Sequence, residues 1–325
     1  MSLKKKQIVG VVLALAFLST IFAYGTGSYR AIREEWLFFT PAMISTHLEP
    51  YNEEEKAEIE KDLNVVRSIC FSPQEVEENV NHQPLFLTTA GGPGARKSTI
   101  LERFIGSHPE YSRAVYVDPD QRALKFMVHT YYAQSLNAFH AALTGNYLAI
   151  QRAAYEKWRP ASNYITLTLL EEAFEAKRDI AYGATSTGAH VPVLFKKIHD
   201  AGYHITLLLC SCDDSLRKAA VEYRNEKQRF YQSTPEDALV KGALFPQRMS
   251  TYFENGDTLY FYWSDDLFSP ERLAAVFQKG QIDVIDSDAL NCFIAKYELD
   301  RNAFQVEGKI LPAWDELVKM YQVRF

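Results

Sequence analysis

Gly91-Gly92-Pro93-Gly94-Ala95-Arg96-Lys97-Ser98-Thr99, GGPGARKST, is the stretch on which the reading of this chain turns. In a phosphate-binding loop of the pattern G-x-x-x-x-G-K-[ST], backbone N–H groups wrap the phosphates, the lysine reaches the β and γ phosphates, and the hydroxyl holds Mg²⁺. Gly91, Lys97 and Ser98 fit that pattern, and Arg96 stands where the last glycine normally does. PLFLTTA, residues 84–90, is a short apolar, β-branched run that predicts a strand, and STILERFI then resumes at helical period. Strand, loop and helix in that order place the loop at a helix N-terminus, where free N–H groups and the helix dipole favour phosphate. The bland alternative is a glycine-rich turn with an incidental lysine. Ala95 is small and Gly91, Gly92 and Gly94 supply permissive dihedrals, so the loop is expected to close with Arg96 turned toward solvent or toward the γ-phosphate.

The pattern continues outward from the loop. RAVYVD, residues 113–118, reads as a second strand ending in the acidic turn DPD, and a long helical stretch follows through Trp158. Another helix, about Asn163 to Lys177, leads to the strand DIAYGAT, and the helix VPVLFKKIHDAG leads to the strand HITLLLC. A charged helix, DDSLRKAAVEYRNEKQRF, then PEDALVKGALFPQRMSTYF, precede what reads as a last strand, DTLYFYW, residues 257–263. Strands alternating with helices predict a parallel sheet covered on both faces. The expected fold is therefore α/β, a P-loop kinase-like parallel sheet with helices on both faces and helical N- and C-terminal additions. The expected divisions are a membrane anchor or signal segment at 1–28, a helical approach segment at 29–83, the kinase-like domain at 84–268 and a helical addition at 269–325.

A formal charge of −6 and the lack of a long basic run after the N-terminus argue against nucleic acid as a partner, because phosphate-backbone binding needs a basic face. Four scattered cysteines form no disulfide framework, and Cys210 and Cys212 have no partners at zinc spacing. The N-terminus differs in kind. Ile8 to Gly25 is an uncharged run of about the length that crosses a bilayer, with Lys4, Lys5 and Lys6 on the cytoplasmic side. Ala23-Tyr24-Gly25 offers the small residues of a cleaved signal peptide instead, and a buried helix of the soluble fold is a third reading. The expected localisation is membrane-associated, through residues 8–25, or exported.

Phosphoryl transfer to a hydroxyl needs a carboxylate on a rigid element to accept the proton, and Asp118 and Asp120 sit at the carboxyl edge of the expected sheet. Asp at that position also reads as a helix N-cap, a role Asp120 could fill. The charged helix carries Arg217, Lys218, Arg224, Lys227 and Arg229, which form either a solvated face or a lid that brings cations to the transferring phosphate.

In this order, GGPGARKST, YVDPDQRA, YGATSTGAHVPVLFKKIHDAGYHITLLLC and EYRNEKQRFYQSTPEDALVK resemble the zeta-toxin family of P-loop kinases over roughly residues 80–265. Gly92-Pro93-Gly94 with Lys97 matches that family's G-x-P-G-x-G-K-[ST] loop more closely than the generic one. The resemblance implies an enzyme that moves phosphate from ATP or GTP, with Mg²⁺, to a hydroxyl of a small-molecule acceptor such as a UDP-activated amino sugar, and it implies a protein inhibitor as a partner. It makes Gly91 to Thr99 the nucleotide loop, Lys97 the phosphate lysine, and Ser98 and Asp118 the metal-side residues. It makes Asp120 the catalytic base and Arg224 and Arg229 the γ-phosphate arginines. The family's E-G-T strand reads Tyr182-Gly183-Ala184 here, and Thr166 or Leu167 stands near the place of its second substrate glutamate. Phosphate chemistry kept and substrate contacts changed point to a kinase with a different acceptor, or to a non-catalytic nucleotide-binding or interaction protein that keeps the fold.

Overall fold

The computed structural model describes residues 39–71, 82–141, 147–228, 230–303 and 310–322. In chain order these form α1 (Pro41–Ser45), α2 (Glu53–Cys70), β1 (Leu85–Ala90), α3 (Lys97–Ser107), β2 (Val115–Val117), α4 (Tyr131–Ala141) and α5 (Tyr147–Glu175). Then follow β3 (Ile180–Tyr182), α6 (Val191–Asp200), β4 (His204–Cys212), α7 (Asp214–Glu226), α8 (Pro235–Gly242) and α9 (Met249–Asn255). The chain closes with β5 (Thr258–Ser264), β6 (Arg272–Gln278), β7 (Gln281–Val284), α10 (Ser287–Ala303) and α11 (Trp314–Gln322).

The strands form one sheet in the order β2-β3-β1-β4-β5-β6-β7, parallel from β2 through β5. Alternation along the strands divides the core between the two faces. Leu87, Tyr116, Leu208 and Cys210 pack with Ile100, Leu101 and Phe104 of α3, while Phe86, Val115, Val117, Leu207 and Leu209 join the larger core on the other side. With both faces covered, a crevice is left at the carboxyl edge of β1, β2 and β3. There the order reverses on either side of β1, and an open α/β sheet leaves its crevice at such a point.

Three expectations change. DTLYFYW is not the last strand: β6 and β7 add an antiparallel hairpin to it, so the 269–325 region starts as sheet before turning helical. The hairpin turns at Lys279 and Gly280, whose φ angles of +51° and +72° supply the tight turn without the usual Asn-Gly signature. The break expected between Trp158 and Asn163 is absent, since α5 runs through Pro160. Proline removes an N–H and disturbs the preceding turn, and the Tyr51 hydroxyl enters there, donating to Lys157 O (2.5 Å) and accepting from Ala161 N (3.1 Å). Lastly, the acidic turn leads into a π-helical turn (Pro119–Ala123) and a 3-10 turn (Leu124–Phe126), not directly into an α-helix.

Of the approach segment the structure describes 39–71 and 82–83, and α2 there is a well-specified helix: Asn52 and Glu55 form a capping box, glutamates fill the first turn, and Ile59, Leu63 and Val66 face inward. Among the described residues no helix is long and apolar enough to cross a membrane, and the 8–25 run lies outside them.

Candidate active site

The loop between β1 and α3 owes its shape to glycines with separate duties. Gly91 and Gly94 have φ of +140° and +84°, and a Cβ on Gly91 would lie 2.2 Å from Cys210 O. Gly92, read from sequence as a third source of backbone freedom, instead provides space: a Cβ there would fall 1.8 Å from an Nη of Arg217. Gly242 on α8 meets the same guanidinium at 1.8 Å. Arg217 is 2% exposed and lies beneath the phosphate loop, so it is neither a solvated helix charge nor a lid cation.

Arg96 adopts the left-handed conformation, φ 56° and ψ 22°, that the usual glycine would take. For an L-residue this costs roughly 1–2 kcal/mol. Its side chain is anchored elsewhere, donating to Asp266 O (3.2 Å) and Ser269 O and pairing with Glu271 Oε1 (3.0 Å), a carboxylate that Arg103 also holds. Neither expected direction is correct: Arg96 turns to the β5–β6 loop, because a nearly buried Glu271 is there to receive it. Ala95 beside it is fully buried.

Lys97 opens α3 and donates to Gly92 O at 2.8 Å, so its ammonium lies within the loop. Loss of hydration first, then the nearby Arg217 and Arg224, pull it down to about 8, an environment short of negative charge. Ser98 and Thr99 continue along the cleft wall. Arg224 faces the same cleft from α7, with Nε and one Nη buried and without hydrogen-bond partners. Burial lowers its pKa, and donors left so call for anionic oxygens. Arg229 lies outside the described residues.

At the end of β2, Asp118 and Asp120 divide the two roles open to the acidic turn. Asp118, not Asp120, is the cap, its Oδ1 accepting from the N–H groups of Asp120 and Gln121 at 2.7 Å each. Burial, and then the charge of Asp120, push Asp118 up to about 6. A Cβ on Gly183 would lie 2.1 Å from Asp118 Oδ2, which accounts for glycine in Tyr182-Gly183-Ala184. Asp120 lines the cleft with Oδ1 3.3 Å from Arg159 Nε.

That arginine belongs to a group the sequence reading missed. Tyr155, Arg159 and Asn163 share one face of α5 at i, i+4 and i+8 and line the cleft opposite the phosphate loop. Arg159 donates to Tyr155 Oη and Ser162 Oγ, each at 3.0 Å, and to Asn163 Oδ1. Their spacing is the only sequence signal, and Pro160 in its midst argued for a helix break. Thr166, expected near a substrate position, is buried and donates back to Ser162 O, and Leu167 packs on the core. The segment after β3 is laced to β1 and the phosphate loop: Ser186 Oγ donates to Thr89 O (2.7 Å), Thr89 Oγ1 to Ala184 O (2.7 Å) and Gly91 N to Thr185 O (3.0 Å).

Together these walls enclose a cleft of about 860 Å³, room for a nucleotide and part of a second molecule. The orphaned Arg224 donors and the desolvated Lys97 fit a polyphosphate. Among the described residues no group of three or more His, Cys, Asp and Glu could hold a metal unaided. Mg²⁺ bound with a nucleotide needs only one or two protein oxygens beside phosphate and water, which Ser98 and Asp118 can supply.

The zeta toxin family model matches residues 73–244, more than half of the chain, and the chain belongs to that family. Among solved structures it is similar to a chain of the AvrRxo1-ORF1:AvrRxo1-ORF2 complex with sulphate ions, at 12% identity and TM-score 0.52, covering 88% of this chain and 95% of that one. The same complex with ATP gives 12% identity and TM-score 0.51 over 88% and 95%. A chain from the PezAT chromosomal toxin-antitoxin system of Streptococcus pneumoniae gives 13% identity and TM-score 0.46 over 78% and 97%. At such identities the likeness to the AvrRxo1 complexes is one of fold. No curated protein sequence matches the chain.

Proposed function

We propose that this protein is a nucleotide-dependent phosphotransferase that moves a γ-phosphate to a hydroxyl of a small molecule. The observation that carries the reading is the convergence on one cleft of two desolvated cations, Lys97 from α3 and Arg224 from α7, the latter with two donors lacking hydrogen-bond partners, together with the carboxylates of Asp118 and Asp120. Loop N–H groups and Lys97 hold the β and γ phosphates, and Arg224 meets the charge that spreads over the transferring group. Ser98 and Asp118 would hold Mg²⁺, which supplies further charge neutralisation when bound. Asp120 accepts the acceptor's hydroxyl proton as the new O–P bond forms and the β–γ bridge opens, releasing nucleoside diphosphate. Arg229 is retained as a second phosphate arginine on sequence grounds.

A UDP-activated amino sugar is the acceptor the family resemblance implies, and the cleft wall, with Tyr182 where the resemblance expects a glutamate and Thr166 and Leu167 turned into the core, supports a changed one. The test is incubation of the purified chain with labelled ATP or GTP, Mg²⁺ and a panel of UDP-sugars and other hydroxyl compounds. Labelled product supports the proposal. The Asp120–Arg159 pair, which occupies the base with an internal partner, favours the second reading of a nucleotide-binding protein without turnover; that reading expects nucleotide binding and no transfer to any acceptor. Attachment to a membrane through residues 8–25 is proposed from sequence alone, and extraction of the cellular protein by alkaline carbonate would count against it. A protein inhibitor is proposed from family membership, and restored transfer on removing a co-purifying protein would support it.

A further inference from the structure

Phe268 is 76% exposed, yet it sits on a loop tied by several hydrogen bonds. Asp266 accepts from the N–H groups of Phe268 and Ser269, each at 2.7 Å, and Arg96 reaches across from the phosphate loop to the carbonyls of Asp266 and Ser269. A large apolar ring held in water by a braced backbone is not serving the core. It meets Tyr223 of α7 edge to face, with centroids 5.5 Å apart and an interplanar angle of 86°, and in such a pair each ring keeps at least one face uncovered by the other. Both rings line the cleft that holds Lys97, and Tyr223 is the immediate neighbour of Arg224.

We infer that Phe268 and Tyr223 form the seat of the nucleobase, a reading that rests on nucleotide binding as proposed above. A flat heteroaromatic ring leaving the phosphate loop meets this aromatic pair at the cleft mouth, and stacking favours any base because every base presents a π-face. The seat therefore serves adenine and guanine alike. It also gives Arg96 a purpose that a glycine could not meet: the side chain ties the loop that holds the phosphates to the loop that holds the base, so the two contacts form one unit.

Calorimetric titration of the full chain with ATP, GTP and inorganic tripolyphosphate tests this, alongside Phe268→Ala, Phe268→Trp and Tyr223→Ala. Phe268→Ala is expected to weaken ATP and GTP by about tenfold or more, as loss of one base–aromatic stack does, while tripolyphosphate binding stays within about twofold. Phe268→Trp should retain affinity, and Tyr223→Ala should weaken both nucleotides in the same sense. Unchanged ATP affinity in Phe268→Ala, or an equal loss for tripolyphosphate, overturns the base seat. Wild-type protein that binds tripolyphosphate as tightly as ATP overturns it too while leaving the phosphate site standing. Wild-type protein that binds neither removes the phosphotransferase reading and the base seat with it.

Discussion

At the phosphate end of the cleft, consecutive residues from Gly91 to Thr99 supply the loop, the lysine and the hydroxyl, with Arg217 as a floor beneath them. At the acceptor end, Asp120, the Tyr155-Arg159-Asn163 face and the segment from Gly183 to His190 come from three separate elements. Phosphate recognition relies on backbone N–H groups and fixed charge, which a short contiguous sequence can specify. The proposed acceptor end is built from side chains that meet only after the sheet has formed, and each can change without disturbing the strand or helix that carries it.

Substitutions at the two ends should therefore fail differently. Lys97→Ala is expected to produce the largest loss, on the order of a thousandfold or more in transfer together with weaker nucleotide binding, measured by turnover and calorimetry. Turnover near wild type would dissolve the phosphate end as a functional unit. Asp120→Asn should cost on the order of a hundredfold in turnover with nucleotide affinity nearly unchanged, and Asp118→Asn should cost less. Equal losses would show that the capping acid and the cleft acid are not distinct in role.

Asp118→Asn has a second consequence, in stability. The folded pKa of Asp118, about 6, lies above its ordinary 3.8, so the penalty of ionising it is absent below about pH 4, grows as pH rises and is complete above about pH 6. The substitution should raise stability at pH 7 by on the order of 2 kcal/mol in nucleotide-free, chelated buffer, with a gain that vanishes toward pH 4. A gain independent of pH in denaturant titrations would assign the effect to packing. Arg159→Met should raise the acceptor KM by about tenfold without moving nucleotide affinity, and a change in nucleotide affinity alone would mean that α5 serves the donor. The smallest effect belongs to Arg96→Gly. Relief of the left-handed strain offsets loss of the Glu271 pair, so nucleotide affinity should change by less than about tenfold, or 1.4 kcal/mol. If wild-type protein binds no nucleotide and Arg96→Gly creates binding, the phosphate loop is broken by this residue.

Much of the fold was legible, because strand and helix periods are local and GGPGARKST sits at their junction. The hairpin of β6 and β7 was not, since Lys279-Gly280 is a weak turn signal and the exposed β7 lacks a clear alternation. The continuity of α5 was hidden too. Pro160 is a strong local argument for a break, and what overrides it is the Tyr51 hydroxyl, more than a hundred residues away in sequence.

The alternating α/β order, the glycine-rich loop with its lysine, and the acidic turn after β2 could all be read along the chain, because each depends on sequence neighbours. Folding alone set Arg217 under the loop, made Asp118 the cap while Asp120 faces Arg159, brought the Tyr155-Arg159-Asn163 face to the cleft, and turned Arg96 to Glu271. Burial and charge pairing act through space between residues distant in the chain, and no local pattern of residue types encodes which of them will meet.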